Sequence, residues 1–351
     1  MRRQRVTLRD VARAADTTAM TVSNVLNGRS HAASADTAAR VRAVIEQLGY
    51  RPNAAGRELR AARRMAIGVV IVDPSPYYLS DPFTAAMLAG LNDRLMRSGY
   101  SLILQGVPAP ALGTVPILRQ IASDGICLVA SGSPAERRQI LSRIAALGQP
   151  VVVIQDEADP ALGDVAAVRL DDEAGATAIA QHLGQRPLRH VVLLVPGTDW
   201  PAIERREAAV RQVLSRMNVP PSITTVRCGD EGFDETRTAL ARAIDRHGLP
   251  DAIIGGNDRM ALAALAVLAE RDIAVPARVA VTGFNGLENH HYARPALTTV
   301  VAPAFQVGEQ AATMLVDRLH TGTFAEQRVL VPVRFHAAHS STLDMTRGEA
   351  S

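Results

Sequence analysis

The 351-residue sequence contains no lysine, so all 38 of its fixed positive charges are arginines. Cysteine occurs only at Cys127 and Cys228, far apart and in no CxxC pair, which signals neither a disulfide framework nor a zinc site. Aromatic residues supply 3% of a chain that is 47% hydrophobic, so its core must be filled by Ala, Val, Leu and Ile, a composition suited to helices packed closely on a sheet. No apolar run approaches the roughly 20 residues that span a bilayer. The start MRRQRVTLRD is followed by no apolar signal-peptide segment. The expected location is therefore cytoplasmic, with no membrane partner. GxGxxG, P-loop, GxSxG and HExxH patterns are all absent, which removes the commonest enzyme signatures and leaves no cofactor to expect. His290-His291 and the His336/His339 pair lack a compact set of further ligands and read as solvated or capping histidines, so no metal is expected.

What is present is a strong asymmetry of charge. The first 64 residues carry a net +8, all of it from arginine, whereas the remainder is net −5. The N-terminal segment is thus the polyanion-binding candidate. It holds three short helical patterns. Thr7 can cap the first, which puts Leu8, Val11, Ala12 and Ala15 on one face. Thr18 caps the second, with Val22, Val25 and Leu26 as its apolar stripe before Asn27-Gly28. The third starts at Ser34, turns Ala38, Val41, Val44, Ile45 and Leu48 inward, and stops at Gly49. The turn of about three residues between the first two patterns has helix-turn-helix spacing.

Residues 51 to 64, RPNAAGRELRAARR, read as a linker able to become a short helix. From Met65 the pattern changes to continuous apolar runs separated by amphipathic helices: IGVVIV (67 to 72), SLIL (101 to 104), GICLV (125 to 129) and VVVI (151 to 154). A second series follows with HVVLLV (190 to 195), TTVRC (224 to 228), AIIGG (252 to 256) and VAVTGF (279 to 284). Such runs predict βαβ units and parallel sheets covered on both faces. Two series predict two α/β lobes with a cleft between them. The domains expected are 1–50, a helix-turn-helix module; 51–64, a hinge; and 65–351, a two-lobed effector-binding and dimerisation domain.

The blocks VTLRDVARAADTTAMTVSNVLNGRS and SADTAARVRAVIEQLGYRPNAAGREL resemble the lactose/galactose repressor (LacI/GalR) family of regulators. DPF at 81 to 83, GGNDRMALAAL at 255 to 265, VAVTGFNG at 279 to 286 and LTTV at 297 to 300 continue the resemblance in family order along nearly the whole chain. It implies an all-α DNA-binding module on a periplasmic-binding-protein-like domain, an operator-DNA partner, a small-molecule effector, most simply a sugar or sugar derivative, and no catalysis. It also implies a homodimer, because a two-fold operator needs two recognition helices about one DNA turn apart; STLDMTRGEAS has no leucine heptads of the kind that form a tetramerising tail. An enzyme, or a sugar-binding protein with an accessory nucleic-acid module, is the alternative class. The missing signatures and the basic N-terminal segment weigh against both.

The resemblance implies roles for individual residues. Ala19, Met20 and Asn24 take the positions that set operator preference, and Thr21 and Ser23 those that anchor phosphates; Thr7, Thr18 and Asn27 flank them. Ala19 and Met20 offer only apolar contact to a thymine methyl, which leaves Asn24 most of the polar readout. In the hinge, Leu59 matches the leucine that wedges into the minor groove, between Arg57 and Arg60 beside phosphates. Asp16 and Thr17 depart from the Gly and apolar residue usual in the turn, although Asp tolerates a left-handed conformation. In the cleft, Arg206 matches the arginine that grips effector hydroxyls or acids, and Trp200 could stack on a ligand. Asn257 is the expected effector contact, with Asp258 a structural acid at a helix start. Asn285 stands where the family most often has Asp. Its neutrality would remove an opposing charge from beside Arg206, which makes an acidic or phosphorylated sugar more acceptable than in a neutral-sugar regulator, while Glu231 pulls the other way and leaves a neutral sugar as the leading expectation. Gln155, Glu231, Tyr78 and Phe83 complete the expected effector site.

Overall fold

A computed structural model describes residues 6–26, 33–50, 64–119, 122–229, 232–286 and 291–342. The chain divides into two compact units, residues 1–63 and 64–351. In the first, helices α1 (Leu8–Ala14), α2 (Ala19–Leu26) and α3 (Ala35–Leu48) enclose a small core of Val11, Ala15, Val22, Val25, Val41 and Tyr50. Local chemistry sets each boundary. Thr7 and Asp10 form a capping box at the start of α1, and Ser34 accepts from the Thr37 amide at the start of α3. Both α1 and α3 end in a paired-bond, left-handed C-terminal motif. After α1, Asp16 takes φ 46°, its N–H donating to the Arg13 carbonyl and that of Thr17 to the Ala12 carbonyl. Gly49, at φ 58°, does the same after α3. Asp16 thus substitutes for the usual glycine without changing the turn.

The second unit has two lobes. In the first, β1 (Ala66–Val72), α4 (Pro82–Arg97), β2 (Ser101–Val107), β3 (Gly125–Ala130), α5 (Pro134–Ala145), β4 (Val151–Ile154) and β5 (Val165–Leu170) alternate in the expected way. The second begins with α6 (Asp172–Leu183), β6 (His190–Pro196), α7 (Pro201–Leu214), β7 (Ser222–Cys228), α8 (Phe233–His247), β8 (Ala252–Gly255), α9 (Asp258–Glu270) and β9 (Ala280–Thr282). After β10 (Thr299–Val301) the chain returns: α10 (Ala304–Thr321) packs along α4, and β11 (Arg328–Val331) joins the first sheet as its outer strand beside β5. β12 (Arg334–His336) then pairs antiparallel with β10. The first sheet has the order β11-β5-β4-β3-β1-β2 and the second β7-β6-β8-β9. All neighbours within each are parallel.

The eight strands expected from the apolar runs are all present, although β9 is shorter than its run. Four more, β5 and β10 to β12, were not expected. They make the chain cross between lobes three times, near Asp171, Ala302 and Val333. Cys127 and Cys228 are both buried and free, as their isolation in sequence implies, and burial pushes the Cys127 thiol far up.

The α4–α10 contact is unusually close because two glycines face backbone. A Cβ at Gly308 would strike the Met87 carbonyl, and one at Gly90 the Phe305 carbonyl. Alanine in a helix interior ordinarily gains about 1 kcal/mol over glycine. Overpacking against backbone costs about 1–3 kcal/mol and more where nothing can yield. Gly308→Ala is therefore expected to lower stability by about 1–2 kcal/mol net, read as a fall in the urea midpoint; an increase would show that the helices separate freely.

Candidate functional site

The carboxyl ends of the parallel strands in both lobes open onto one cavity of about 520 Å³. This is where doubly wound sheets bind ligands, because the strand-to-helix turns leave backbone and side chains free to converge there. The first lobe contributes Asp73 after β1, Tyr78, Asp81, Phe83 and Met87 from the following turn and α4, Val129 in β3 and Gln155 after β4. The second contributes Thr198, Trp200 and Ile203 after β6, Arg206 on α7, Asn257 and Arg259 after β8, and Asn285 after β9. Of the expected effector residues, Tyr78, Phe83, Gln155, Trp200, Arg206, Asn257 and Asn285 all line this cavity. Glu231 lies outside the described residues.

Arg206 is held on every side. Its Nε donates to Asp172 Oδ1 at 2.8 Å, Nη1 to the Gly256 carbonyl at 2.8 Å, and Nη2 to Asn285 Oδ1 at 3.5 Å. Its guanidinium lies 3.5 Å from the centroid of the Phe284 ring, a cation–π contact. Asp172 is fully buried and accepts from Arg205 as well, through Oδ2 at 2.8 Å. Burial pushes the Arg206 guanidinium down, against the opposing pull of Asp172. This adds a carboxylate that the sequence reading did not include. Asn285 does remove one carboxylate, but Asp172 supplies another in direct contact with Arg206, which it shares with Arg205.

Asn257 and Asp258 both have engagements within the protein as well. Asn257 caps α9, its Oδ1 accepting from the Met260 amide at 3.0 Å. Asp258 reaches instead to the chain crossing, where Oδ1 accepts from Thr299 Oγ1 at 2.6 Å and Oδ2 from the Gly286 amide at 2.7 Å. Gln155, at φ 65°, accepts from the Leu170 amide through Oε1, and its carbonyl accepts from Arg205. Trp200 is the N-cap residue of α7 and makes no side-chain cap, which leaves its ring as part of the cavity wall.

Four features escaped the sequence reading. Asp73 is buried at the cavity edge with its pKa raised by desolvation, and it accepts from the Ser75 amide at 2.7 Å; its place directly after an apolar strand was the available signal. Arg259 at the start of α9 also lines the cavity. Asp172 follows β5, a strand that was itself unrecognised. The fourth is a clasp across the cleft: Arg137 on α5 donates from Nε to Asp156 at 2.8 Å and from Nη1 and Nη2 to Glu204 on α7 at 3.0 and 2.9 Å. The Gly132 amide donates to the Asp199 carbonyl beside it, at 2.8 Å.

In the N-terminal unit, Thr18 Oγ1 accepts from the Thr21 amide at 3.1 Å and so caps α2. Met20 stands 72% exposed at the first turn of α2, while Ala19 packs partly on the module's own core. Thr21, Ser23 and Asn24 are half-buried on the same short helix. Thr7 is exposed, its hydroxyl donating to Asp10 at 2.6 Å. Asn27, Arg57, Leu59 and Arg60 lie outside the described residues. Among the described residues, no helix is long and apolar enough to cross a membrane, and no group of three or more His, Cys, Asp or Glu is placed to hold a metal ion.

A capped helix-turn-helix module followed by a two-lobed domain with a ligand-sized cleft defines a class: effector-responsive DNA-binding regulators. Residues 7–53 match the family model described as bacterial regulatory proteins, lacI family, and residues 180–341 match that of the periplasmic-binding-protein-like domain. The chain belongs to the LacI family of transcription regulators. It is 27% identical to the ribose operon repressor of Escherichia coli K12 over 93% of this chain and 97% of that protein. It is 29% identical to the transcriptional regulator CelR of Thermobifida fusca over 94% of this chain and 96% of that one. Among solved structures, the CelR–cellobiose complex superposes with a TM-score of 0.68 at 26% identity, covering 96% of this chain and 100% of that one. The lac repressor dimer bound to operator and the anti-inducer ONPF gives 0.80 at 22% identity, covering 97% and 100%; at that identity the likeness is one of fold. These relatives are regulators.

The clasp yields a prediction. Arg137 is only 7% exposed in its side chain, and Glu204 is 38% exposed. Arg137→Ala removes the guanidinium and leaves Asp156 and Glu204 facing each other. Screened by solvent on the Glu204 side, the loss is expected to be about 1–3 kcal/mol of stability. The lobes should then part more readily, seen as a larger radius of gyration in small-angle X-ray scattering of the unliganded protein. An unchanged scattering curve would show that the clasp does not set the angle between the lobes.

Proposed function

We propose that this protein is a dimeric cytoplasmic repressor of carbohydrate-related genes whose operator affinity is changed by a sugar or sugar derivative bound between its lobes. In this reading residues 1–50 bind the operator, 51–64 form the hinge, and 65–351 bind effector and dimerise. The observation that carries it is the cavity itself, to which both lobes contribute polar groups around Arg206, Asn257 and Asn285. A ligand touching both lobes favours whichever interlobe angle fits it, and that differential affinity is what any effector needs to shift a conformational equilibrium. The relatives support a carbohydrate: one is named for the ribose operon, and another was solved with cellobiose. Ribose and cellobiose are neutral, and a neutral sugar is the leading choice here. No catalytic role is assigned.

On the DNA, Met20 and Asn24 would face base edges from α2, Thr7, Thr18, Thr21 and Ser23 would meet the backbone, and Leu59 would wedge the minor groove between Arg57 and Arg60. Leu59→Ala is expected to cost about 10- to 100-fold in specific operator affinity and almost nothing in nonspecific affinity, since the phosphate contacts remain. Fluorescence anisotropy with operator and random duplexes at one salt concentration measures both; equal losses would remove the wedge.

Asn257→Ser tests the effector half without breaking the fold, because serine caps a helix nearly as well as asparagine. It should weaken effector binding by at least about tenfold, through loss of the amide, while operator affinity stays within about twofold. Calorimetry on a panel of sugars, with operator competition, gives both numbers. Unchanged effector binding would place the ligand elsewhere.

A further inference from the structure

We infer that Met20 is a redox-modification site: a hydroperoxide converts its thioether to the sulfoxide, which weakens specific operator binding and leaves the fold and the nonspecific affinity in place. The inference rests on the operator reading of α2 and adds a means of control to it. Accessibility is the first argument. A thioether has no proton to lose, so its exposure decides whether a peroxide reaches it. Among the described methionines, Met87, Met260 and Met314 are buried, and Met65 and Met217 are half-buried. Met20 and Met96 stand out at 72% and 64% exposed. Cys127 and Cys228, the only thiols in the chain, are both buried and so do not compete for the oxidant.

Position is the second argument. Met20 is the second residue of α2, and it takes no part in the module's core, which Val22 and Val25 supply from that helix. The helix start is secured by the Thr18 hydroxyl, which accepts from the Thr21 amide. Neither cap nor core changes when the sulfur gains an oxygen. The placement that leaves the thioether outside the core is also the one that presents it to a duplex. Met96, on α4 of the other unit, has similar exposure and no such placement, which makes it an internal control.

Chemistry is the third. The sulfur lone pair attacks the terminal oxygen of the hydroperoxide, and the S–O bond forms as the O–O bond breaks. Sulfur is oxidised by two electrons, and the hydroxyl proton passes to the leaving oxygen, which departs as water or an alcohol. The product is a polar group that accepts hydrogen bonds and donates none. It gives up the apolar contact that a thymine methyl would make, and its oxygen brings partial negative charge towards the phosphates. The arginine charges of the module are untouched, so nonspecific binding should persist. A dimer carries the residue twice, so a loss of about threefold at each recognition helix becomes about tenfold for the complex.

The test uses the full-length protein, treated with hydrogen peroxide until peptide mass mapping shows Met20 converted. Its targets are a duplex selected from a random pool by the untreated protein and an unselected duplex, in fluorescence anisotropy at one salt concentration. Affinity for the selected duplex should fall by about tenfold on oxidation, and that for the unselected one should stay within about twofold. Methionine sulfoxide reductases acting on both epimers should restore the first value. Met20→Leu, which keeps an apolar side chain of similar size, should bind within about threefold of the parent and resist peroxide; Met96→Leu should remain as sensitive as the parent. Equal losses in the parent and Met20→Leu would trace the effect to damage elsewhere and overturn the inference. So would a Met20 that resists peroxide while Met96 reacts, or a converted Met20 with unchanged affinity. Unoxidised Met20→Gln separates the two readings, because it puts a polar group at the same place. Binding of the selected duplex as tight as the parent's would show that this residue does not meet the bases, and the operator reading of Met20 would fall together with its redox role. Weakened binding by Met20→Gln beside a peroxide-insensitive parent would keep the first and remove the second.

Discussion

The effector domain is organised around one buried carboxylate. Asp172 has no solvent exposure, and placing a lone charge there would cost several kcal/mol. Three things offset that cost: Arg206 on one oxygen, Arg205 on the other, and the first turn of α6, whose N-terminal end favours negative charge. The arginines are consecutive on α7, so one acid fixes the rotation of that helix against α6. Everything polar in the cleft then follows. Arg206 is laid over Phe284, whose ring fits because Gly175 on α6 has no side chain to meet it. From there its remaining nitrogens reach Gly256 and Asn285, while Arg205 reaches the Gln155 carbonyl at the far side of the cleft. Remove the acid and two guanidiniums are left within a poorly solvated space.

That network sits where the chain passes between lobes. Asp258 ties the start of α9 to Gly286 and Thr299, and the Asn285 amide and carbonyl bond to Val300 and Ala302. The strands that pass between the lobes are thus hydrogen-bonded to residues at the cleft, Asn285 among them. The clasp from Arg137 to Glu204 joins the lobes through a buried guanidinium and a partly solvated carboxylate, so it too must yield if the lobes part.

The sequence was most readable where local chemistry alone decides the structure. Caps at Thr7, Thr18 and Ser34, the stop at Gly49 and the apolar stripes predicted the N-terminal helices because each signal acts within a few residues. Continuous apolar runs revealed the inner strands for the same reason. VAAVRL was not read as β5 because its alanines and Arg169 break the run, and it is a strand only because β4 and β11 flank it. The return of α10 and β11 to the first lobe left no local trace at all. At the cleft, residue types were legible but their engagements were not. Arg206 and Asn257 were expected at the cleft and line it, yet their partners come from 34 residues away in one case and from the residue's own helix in the other. Asp172 was missed because its importance arises wholly from tertiary packing.

The backbone at two cleft residues adds a final constraint. Gln155 and Asn285 have φ of 65° and 108°, a region that side chains rarely occupy and that costs on the order of 1–3 kcal/mol. Both are locked by bonds on each side: the amide of Gln155 donates to Val168 and its carbonyl accepts from Arg205, and Asn285 is held between Val300 and Ala302. Asparagine and aspartate tolerate positive φ better than other residues with side chains. Either would satisfy the backbone at 285, so the choice between them falls to charge. Asp172 is already shared between Arg205 and Arg206, so aspartate and asparagine at 285 differ in the charge they place beside the same guanidinium. The amide keeps the bond to Arg206 and adds donors in place of that charge. The departure from the family's usual aspartate thus leaves Asp172 as the carboxylate that holds Arg206.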